Sequence, residues 1–257
     1  MPSSALKPLI SYLVIPARLA YTRLPRKLLL RETGRTVIQH TFEAAQRAKR
    51  PQGVCVAADH EEIKTEVESF GGQVWMTRAD HPSGTDRVAE VATKLPQADI
   101  IVNLQGDEPE LSGETIDQVI ELLERDPQAV MSTLATPIRS REQLLNPACV
   151  KVVFDSSGRA LYFSRAPIPF ARDWDDDLLQ ANPPLFYQHV GMYAYRRDFL
   201  LELTRLPPCA LEQTEKLEQL RALNAGKTIQ VGVVETPTRG IDTLEDYREF
   251  VHRCRAA

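Results

Sequence analysis

The sequence predicts an α/β protein: a mostly parallel, Rossmann-like sheet with helices on both faces and a small antiparallel inserted lobe. The first half of the chain alternates short apolar runs with helix-period stretches, the pattern of a parallel sheet covered on both sides. Near residue 150 that alternation gives way to two β-rich runs flanking a Ser156-Ser157-Gly158 turn, the mark of a hairpin.

Residues 9–15 read as a buried-type strand. Residues 36–49 form an amphipathic helix with Val37, Ile38, Phe42 and Ala45 on one face. A β-rich run at 53–58 precedes a helix at 60–70, with Asp59 as its N-cap and Gly71-Gly72 as its end. A brief strand at 74–76, a helix at 85–95, a strand at 99–104, a helix at 113–124 and a strand at 130–135 complete the alternating half. The hairpin pairs 150–155 with 159–163, and a Pro- and Asp-rich loop runs from 167 to 184. A strand at 189–195, helices at 198–206 and 211–224, a strand at 228–234 and a helix from Thr243 close the chain. The expected organisation is one domain over 1–257 with an inserted lobe at roughly 137–195. Right-handed crossovers place the strand-to-helix loops at one edge, where ligands dock.

A chain of 257 residues buries about three quarters of its unfolded surface and needs no disulfide or metal staple. Its 43% apolar and 26% charged residues are ordinary for a globular protein. A net charge of -4 argues against nucleic-acid partners. Cys55, Cys149, Cys209 and Cys254 are widely spaced, without a zinc pattern, and read as reduced thiols. Residues 1–8 lack a signal-peptide stretch and no run is long enough to insert in a membrane, so the expected location is cytoplasmic.

Neither G-x-x-x-x-G-K-[ST] nor G-x-G-x-x-G occurs, so phosphates must be held by other means. The turn after the first strand supplies them: Arg18, Arg23, Arg26 and Lys27 follow within 13 residues, without a carboxylate among them. Such a cluster at a strand's carboxyl end suits a polyanion, most simply a nucleoside triphosphate. Gln105-Gly106-Asp107-Glu108-Pro109 follows another apolar strand, and Asp107 there is either a turn residue or one ligand of Mg²⁺. Asp242 is either the N-cap of the last helix or a second carboxylate for that metal. Ser83, Gly84 and Thr85 offer small side chains and backbone N–H groups, for helix capping or for a base or sugar edge. His189 and Tyr193 share a strand face, packed or functional. Glu212, Glu215, Glu218 and Gln219 have helical spacing and fit a solvated face. Ser164 has no His/Asp partner and is rejected as a nucleophile. Arg165 is either a surface cation or an anion clamp.

These motifs together resemble the 3-deoxy-manno-octulosonate (KDO) cytidylyltransferases. The resemblance rests on 15–18 with 22–25 and Lys27, on 76–81 with 83–85, and on 102–109. It extends through 162–166, 189–193, 217–221 and 240–243, in order along nearly the whole chain. It implies a nucleotide-diphospho-sugar transferase-like fold and a homodimer formed through the inserted lobe. It implies transfer of CMP from CTP to the anomeric hydroxyl of KDO, with Mg²⁺, giving CMP-KDO and pyrophosphate for lipopolysaccharide biosynthesis. Carried over, Arg18, Arg23 and Lys27 would hold the triphosphate and, with Asp107, form the catalytic set. Arg78, Ser83, Gly84, Thr85 and Gln105, with the backbone at Ala17, would surround the cytidine. Asp107 and Asp242 would bind the metal. Arg165, His189, Tyr193, Glu212 and Gln213 would line the sugar-acid pocket. One departure stands out: the family pattern has Gly before the lysine and Pro after it, and this chain has Arg26 and Leu28.

The expected chemistry is in-line attack of the sugar hydroxyl on the α-phosphorus, driven by positioning and charge neutralisation. The rivals are a related enzyme charging another sugar acid or a sugar phosphate, and a non-catalytic nucleotide-binding protein. The second rival would be expected to lack Asp107, Asp242 or Lys27.

Overall fold

The computed structural model describes residues 9–235 and 240–256. Residues 1–8, read above as lacking a leader stretch, lie outside them. Four parallel strands form one half of the sheet: β1 (Ser11–Ala17), β2 (Gly53–Ala58), β3 (Gln73–Met76) and β4 (Ile100–Asn103). The other half holds β5 (Met131–Pro137), β8 (Tyr187–Arg196) and β9 (Ile229–Val233), in the overall order β3-β2-β1-β4-β8-β5-β9. β8 runs antiparallel to both β4 and β5 and joins the halves. The expected fold class therefore holds.

Side-chain alternation along a strand sends successive residues to opposite faces. Leu13, Ile15 and Ala17 of β1 pack on one side with α1 (Val37–Ala45), α2 (Glu61–Ser69), α4 (Gly113–Arg125) and α9 (Leu244–Ala256). Val14 points the other way, into a second core with α3 (Gly84–Thr93) and α6 (Arg197–Leu203). Each fully buried Leu, Ile or Phe contributes about 1.5–3 kcal/mol. Thr36, Ser83 and Ser112 cap α1, α3 and α4 by accepting a backbone N–H three residues on, about 1 kcal/mol each.

Several boundaries differ from the sequence expectation. α1 stops at Ala45 instead of 49, because Asp117 of α4 accepts the N–H groups of Lys49 and Arg50 and draws the chain out of the helix. Asp59 does not cap α2; the His60 Nδ1 accepts the Glu62 N–H, and Asp59 takes the Leu19 N–H at 2.9 Å. The single helix expected at 211–224 is two, α7 (Ala210–Glu215) and α8 (Gln219–Asn224), separated by Lys216 at φ 54°. Within the inserted segment, α5 (Arg141–Leu145) and a 3-10 turn at Asp176–Gln180 add structure that composition did not signal.

The hairpin is β6 (Lys151–Phe154) with β7 (Ala160–Ser164), joined to β8 through Lys151 opposite Gln188. The expected lobe limit of 195 takes in β8, which belongs to the central sheet. The segment between β5 and β8 is therefore 138–186. It has a small core of its own, Ile138, Leu144, Cys149, Leu179 and Phe186, and leaves Leu145, Leu161, Phe170 and Leu185 exposed.

Candidate active site

β1 and β4 end side by side, and the loops leaving them meet the start of α9. Gly106 permits this: a Cβ there would stand 3.1 Å from the Pro16 carbonyl oxygen and 3.4 Å from the Leu28 side chain. The Gly106 carbonyl is fixed by the Thr41 hydroxyl at 2.9 Å. Directly above this crossing a 3-10 turn, Lys27–Leu29, carries Lys27, only 2% exposed.

The Lys27 ammonium donates to Asp107 Oδ2, to the Ile241 carbonyl at 2.9 Å and to Asp242 Oδ1 at 3.2 Å. It also lies 4.3 Å from the centre of the Tyr21 ring. Arg23 reaches the other oxygen of Asp242 at 3.1 Å. Asp242 is free for this because it does not cap α9. Asp246 Oδ2 accepts the N–H groups of Asp242 and Thr243, and the Thr243 hydroxyl accepts the Asp246 N–H. Asp107 and Asp242 thus converge on one cation.

Two carboxylates are a fitting donor set for Mg²⁺, which takes hard oxygen ligands and completes its shell with substrate phosphates rather than with an all-protein cage. Among the described residues, no group of three or more His, Cys, Asp or Glu makes such a cage. Glu108 stands beside the pair with Oε2 buried and unpartnered. Burial first, and then the charges of Asp107 and Asp242, push its pKa up to about 8, so it carries its proton at neutral pH.

Two cavities open from this point. One, of about 460 Å³, runs from Glu108 and Asp242 to His189 and Gly191. The other, of about 330 Å³, continues from His189 and Gly191 past Tyr193, Asn103 and Gln105 to Gly84, Thr85, Glu218 and Gln219. His189 is held by the Thr133 hydroxyl at 2.9 Å from Nε2 and by the edge of Phe163. Burial lowers its pKa to about 3, so the ring is neutral. The Tyr193 ring packs 5.2 Å from it, and burial raises the phenol.

A cytidylyltransferase family model matches residues 12–229. The 3-deoxy-manno-octulosonate cytidylyltransferase of Rhodopirellula baltica is 52% identical over 94% of this chain and 97% of its own length. The chain belongs to the 3-deoxy-manno-octulosonate cytidylyltransferase family. A relative of that name from Pelobacter propionicus is 49% identical over 95% of the chain and 96% of its own. A solved CMP:2-keto-3-deoxy-manno-octonic acid synthetase complexed with CTP is 40% identical, with a TM-score of 0.89 over 96% of this chain and 99% of that one. A Leptospira borgpetersenii cytidylyltransferase, at 15% identity and TM-score 0.62 over 97% of this chain and 88% of its own, shares the fold.

Within that family frame, the structure sorts the expected site residues. Lys27, Arg23, Asp107 and Asp242 come together. Arg18 instead donates from one Nη to the His81 carbonyl at 3.3 Å, joining the cationic loop to the 81–83 loop. Ala17 ends β1 and accepts the Asp59 N–H. Gly84, Thr85 and Gln105 line the smaller cavity, whereas Ser83 is occupied as the cap of α3. Arg78 is exposed and paired with Asp80 at 2.8 Å. Arg165 is tied by Nε to the Glu215 carbonyl at 2.7 Å and by Nη1 to Pro147 at 3.0 Å, while Glu215 accepts from Ser164 and the Arg165 N–H.

Glu212 and Gln213 are corrections: neither lines the two cavities. Glu212 is buried in a two-point ion pair with Arg221 and caps α7, and Gln213 is exposed. The left-handed turn at Lys216 reverses the chain and carries Glu218 and Gln219 inward instead. Glu218 accepts from Thr85 at 2.7 Å; Gln219 Nε2 and Asn103 Oδ1 are buried without partners. Asn103 was missed, although a polar residue interrupting the apolar run 100–104 is its sequence signal. Glu218 and Gln219 lie in the 217–221 motif, and a continuous helix there hid their direction.

Proposed function

We propose that this chain transfers CMP from CTP to the anomeric hydroxyl of KDO, releasing pyrophosphate. The observation that carries it is the convergence of Lys27, Asp107 and Asp242, from three distant parts of the sequence, beside a cleft that Asp242 lines.

Lys27, Arg18 and Arg23 hold the triphosphate and neutralise charge on the departing pyrophosphate. Gly84, Thr85 and Gln105 receive the cytidine at the far end of the smaller cavity. Asp107 and Asp242 would hold Mg²⁺, which supplies polarisation of the α-phosphate and a lower pKa for the attacking hydroxyl. The sugar acid occupies the space between His189, Tyr193, Gln219 and Asn103. His189 serves there as a neutral, fixed ring. The free donor of Gln219 and acceptor of Asn103 match a polyol, since unpaired buried polar groups reward a ligand that satisfies them. Arg165, fastened by carbonyls at two of its nitrogens, lines neither cavity, and its contact with the sugar carboxylate is proposed from the family resemblance alone.

The proposal extends to a homodimer through the 138–186 segment, supported by its exposed Leu145, Leu161, Phe170 and Leu185. It also takes the enzyme as cytoplasmic and its product as the activated sugar for lipopolysaccharide. Among the described residues no helix is long and apolar enough to cross a membrane.

The test is pyrophosphate release from CTP with and without KDO, with UTP in place of CTP and sialic acid in place of KDO as controls. KDO-dependent release confined to CTP is expected. Equal release with sialic acid, or none with KDO, overturns the reading.

A further inference from the structure

Six cations lie between residues 18 and 35: Arg18, Arg23, Arg26, Lys27, Arg31 and Arg35. The structure divides them. Arg18, Arg23 and Lys27 serve the site. Arg35 pairs with Glu43 at 2.7 Å. Arg26 and Arg31 turn away and end on α2: Arg26 places both Nη atoms on the Glu62 carboxylate, and Arg31 pairs with Glu66.

Glu66 also accepts the Thr36 hydroxyl at 2.9 Å, and Asp59, just ahead of α2, accepts the Leu19 N–H at 2.9 Å. Glu62 and Glu66, four residues apart in α2, share one helix face, and Asp59 stands just before the extended N-cap His60. Asp59 and that face together receive the cationic loop at Leu19, at Arg26 and at Arg31.

Arg26 itself sits at φ 57° and ψ 24°, a left-handed conformation in a residue type that rarely adopts it. The family pattern has glycine at this position. A guanidinium already committed to Glu62 is not aimed at phosphate.

We infer that Asp59 and the acidic face of α2 position the triphosphate loop, and that the Arg26–Glu62 ion pair locks the left-handed turn that presents Lys27. Arg26 is a positioning residue, acting through Lys27. The inference rests on the proposed role of Lys27 in binding CTP.

Steady-state kinetics on Arg26→Gln, Glu62→Gln and the charge-swapped double variant (Arg26→Glu with Glu62→Arg) test it. Each single variant raises KM for CTP roughly threefold to fivefold, with kcat within about twofold, as expected for losing a half-exposed pair. The swapped pair returns KM to within about twofold of the parent. Melting temperatures stay within about 3 °C, which separates loop positioning from general destabilisation. Unchanged KM in both single variants overturns the inference. So does a raised KM in Arg26→Gln alone without rescue by the swap, which makes Arg26 a direct phosphate ligand. Lys27→Met is the control for the underlying reading: parental KM and turnover in that variant remove the function of the loop itself.

Discussion

The ammonium of Lys27 lies against the carboxylate of Asp107, 80 residues further along the chain, and reaches Asp242 at 3.2 Å, 215 residues away. The lysine therefore balances the same two carboxylates that the proposed metal would use. An internal cation and the proposed divalent ion would compete for one pair of ligands.

Replacing that lysine should expose the competition. In Lys27→Met, Mn²⁺ titrated into nucleotide-free protein and followed by electron paramagnetic resonance binds about tenfold more tightly or better. Turnover falls on the order of a hundredfold or more, because the leaving group loses its counter-charge. Unchanged Mn²⁺ affinity would show that Lys27 does not occupy the metal's place.

Asp107→Ala loses turnover by a comparable factor, on the order of a hundredfold, and keeps KDO affinity. Calorimetry with KDO beside single-turnover kinetics separates the two. Near-normal turnover would take Asp107 out of the metal site.

The second strip of the cleft makes a contrasting pair of predictions. Gln219→Leu raises KM for KDO about tenfold, the worth of one hydrogen bond to a bound polyol. Gln213→Ala leaves all constants unchanged. Glu212→Gln lowers stability by about 3 kcal/mol, because Arg221 loses its charged partner in a partly buried setting. Denaturant melts check that figure.

His189 carries a pH signature. Folded, it remains neutral down to about pH 3; unfolded, it takes up a proton near 6.5. The unfolded chain thus binds the extra proton between those values, and its contribution to stability is lost as pH falls below 6.5. At pH 5 the loss is about 2 kcal/mol. Chemical denaturation of His189→Gln from pH 7 to 5 should show a shallower decline than the parent, by that amount. Parallel curves would contradict the burial of the ring as the source.

Much of this site was legible before any coordinates. The cationic turn, Asp107 and Asp242 are marked by their position after apolar runs, and a parallel sheet brings such loops to one edge. The directions of side chains were not. Glu212 and Glu218 have equivalent helical spacing, and only the left-handed Lys216 decides which of them faces the cleft. Asp59 had the composition of a helix cap, but its carboxylate serves a loop 40 residues away, a tertiary contact that propensity does not report. Arg26 stands in the same cationic turn as Lys27, and nothing in the sequence shows that its guanidinium turns instead to Glu62 on α2.

The antiparallel β8 puts a seam through the middle of the sheet, with Asn103 on β4 directly opposite Tyr193 on β8. The residues proposed for the triphosphate sit mainly on the parallel side of that seam; of the strand-borne residues proposed for the acceptor, His189 and Tyr193 sit on the other side and Asn103 on the seam itself. A redesign aimed at new acceptors can therefore rework β8 and the turn at Lys216 while leaving the CTP-handling strands intact. The two proposed sites also meet where Thr85 donates to Glu218 at 2.7 Å, so a reworked turn at Lys216 has that contact to preserve.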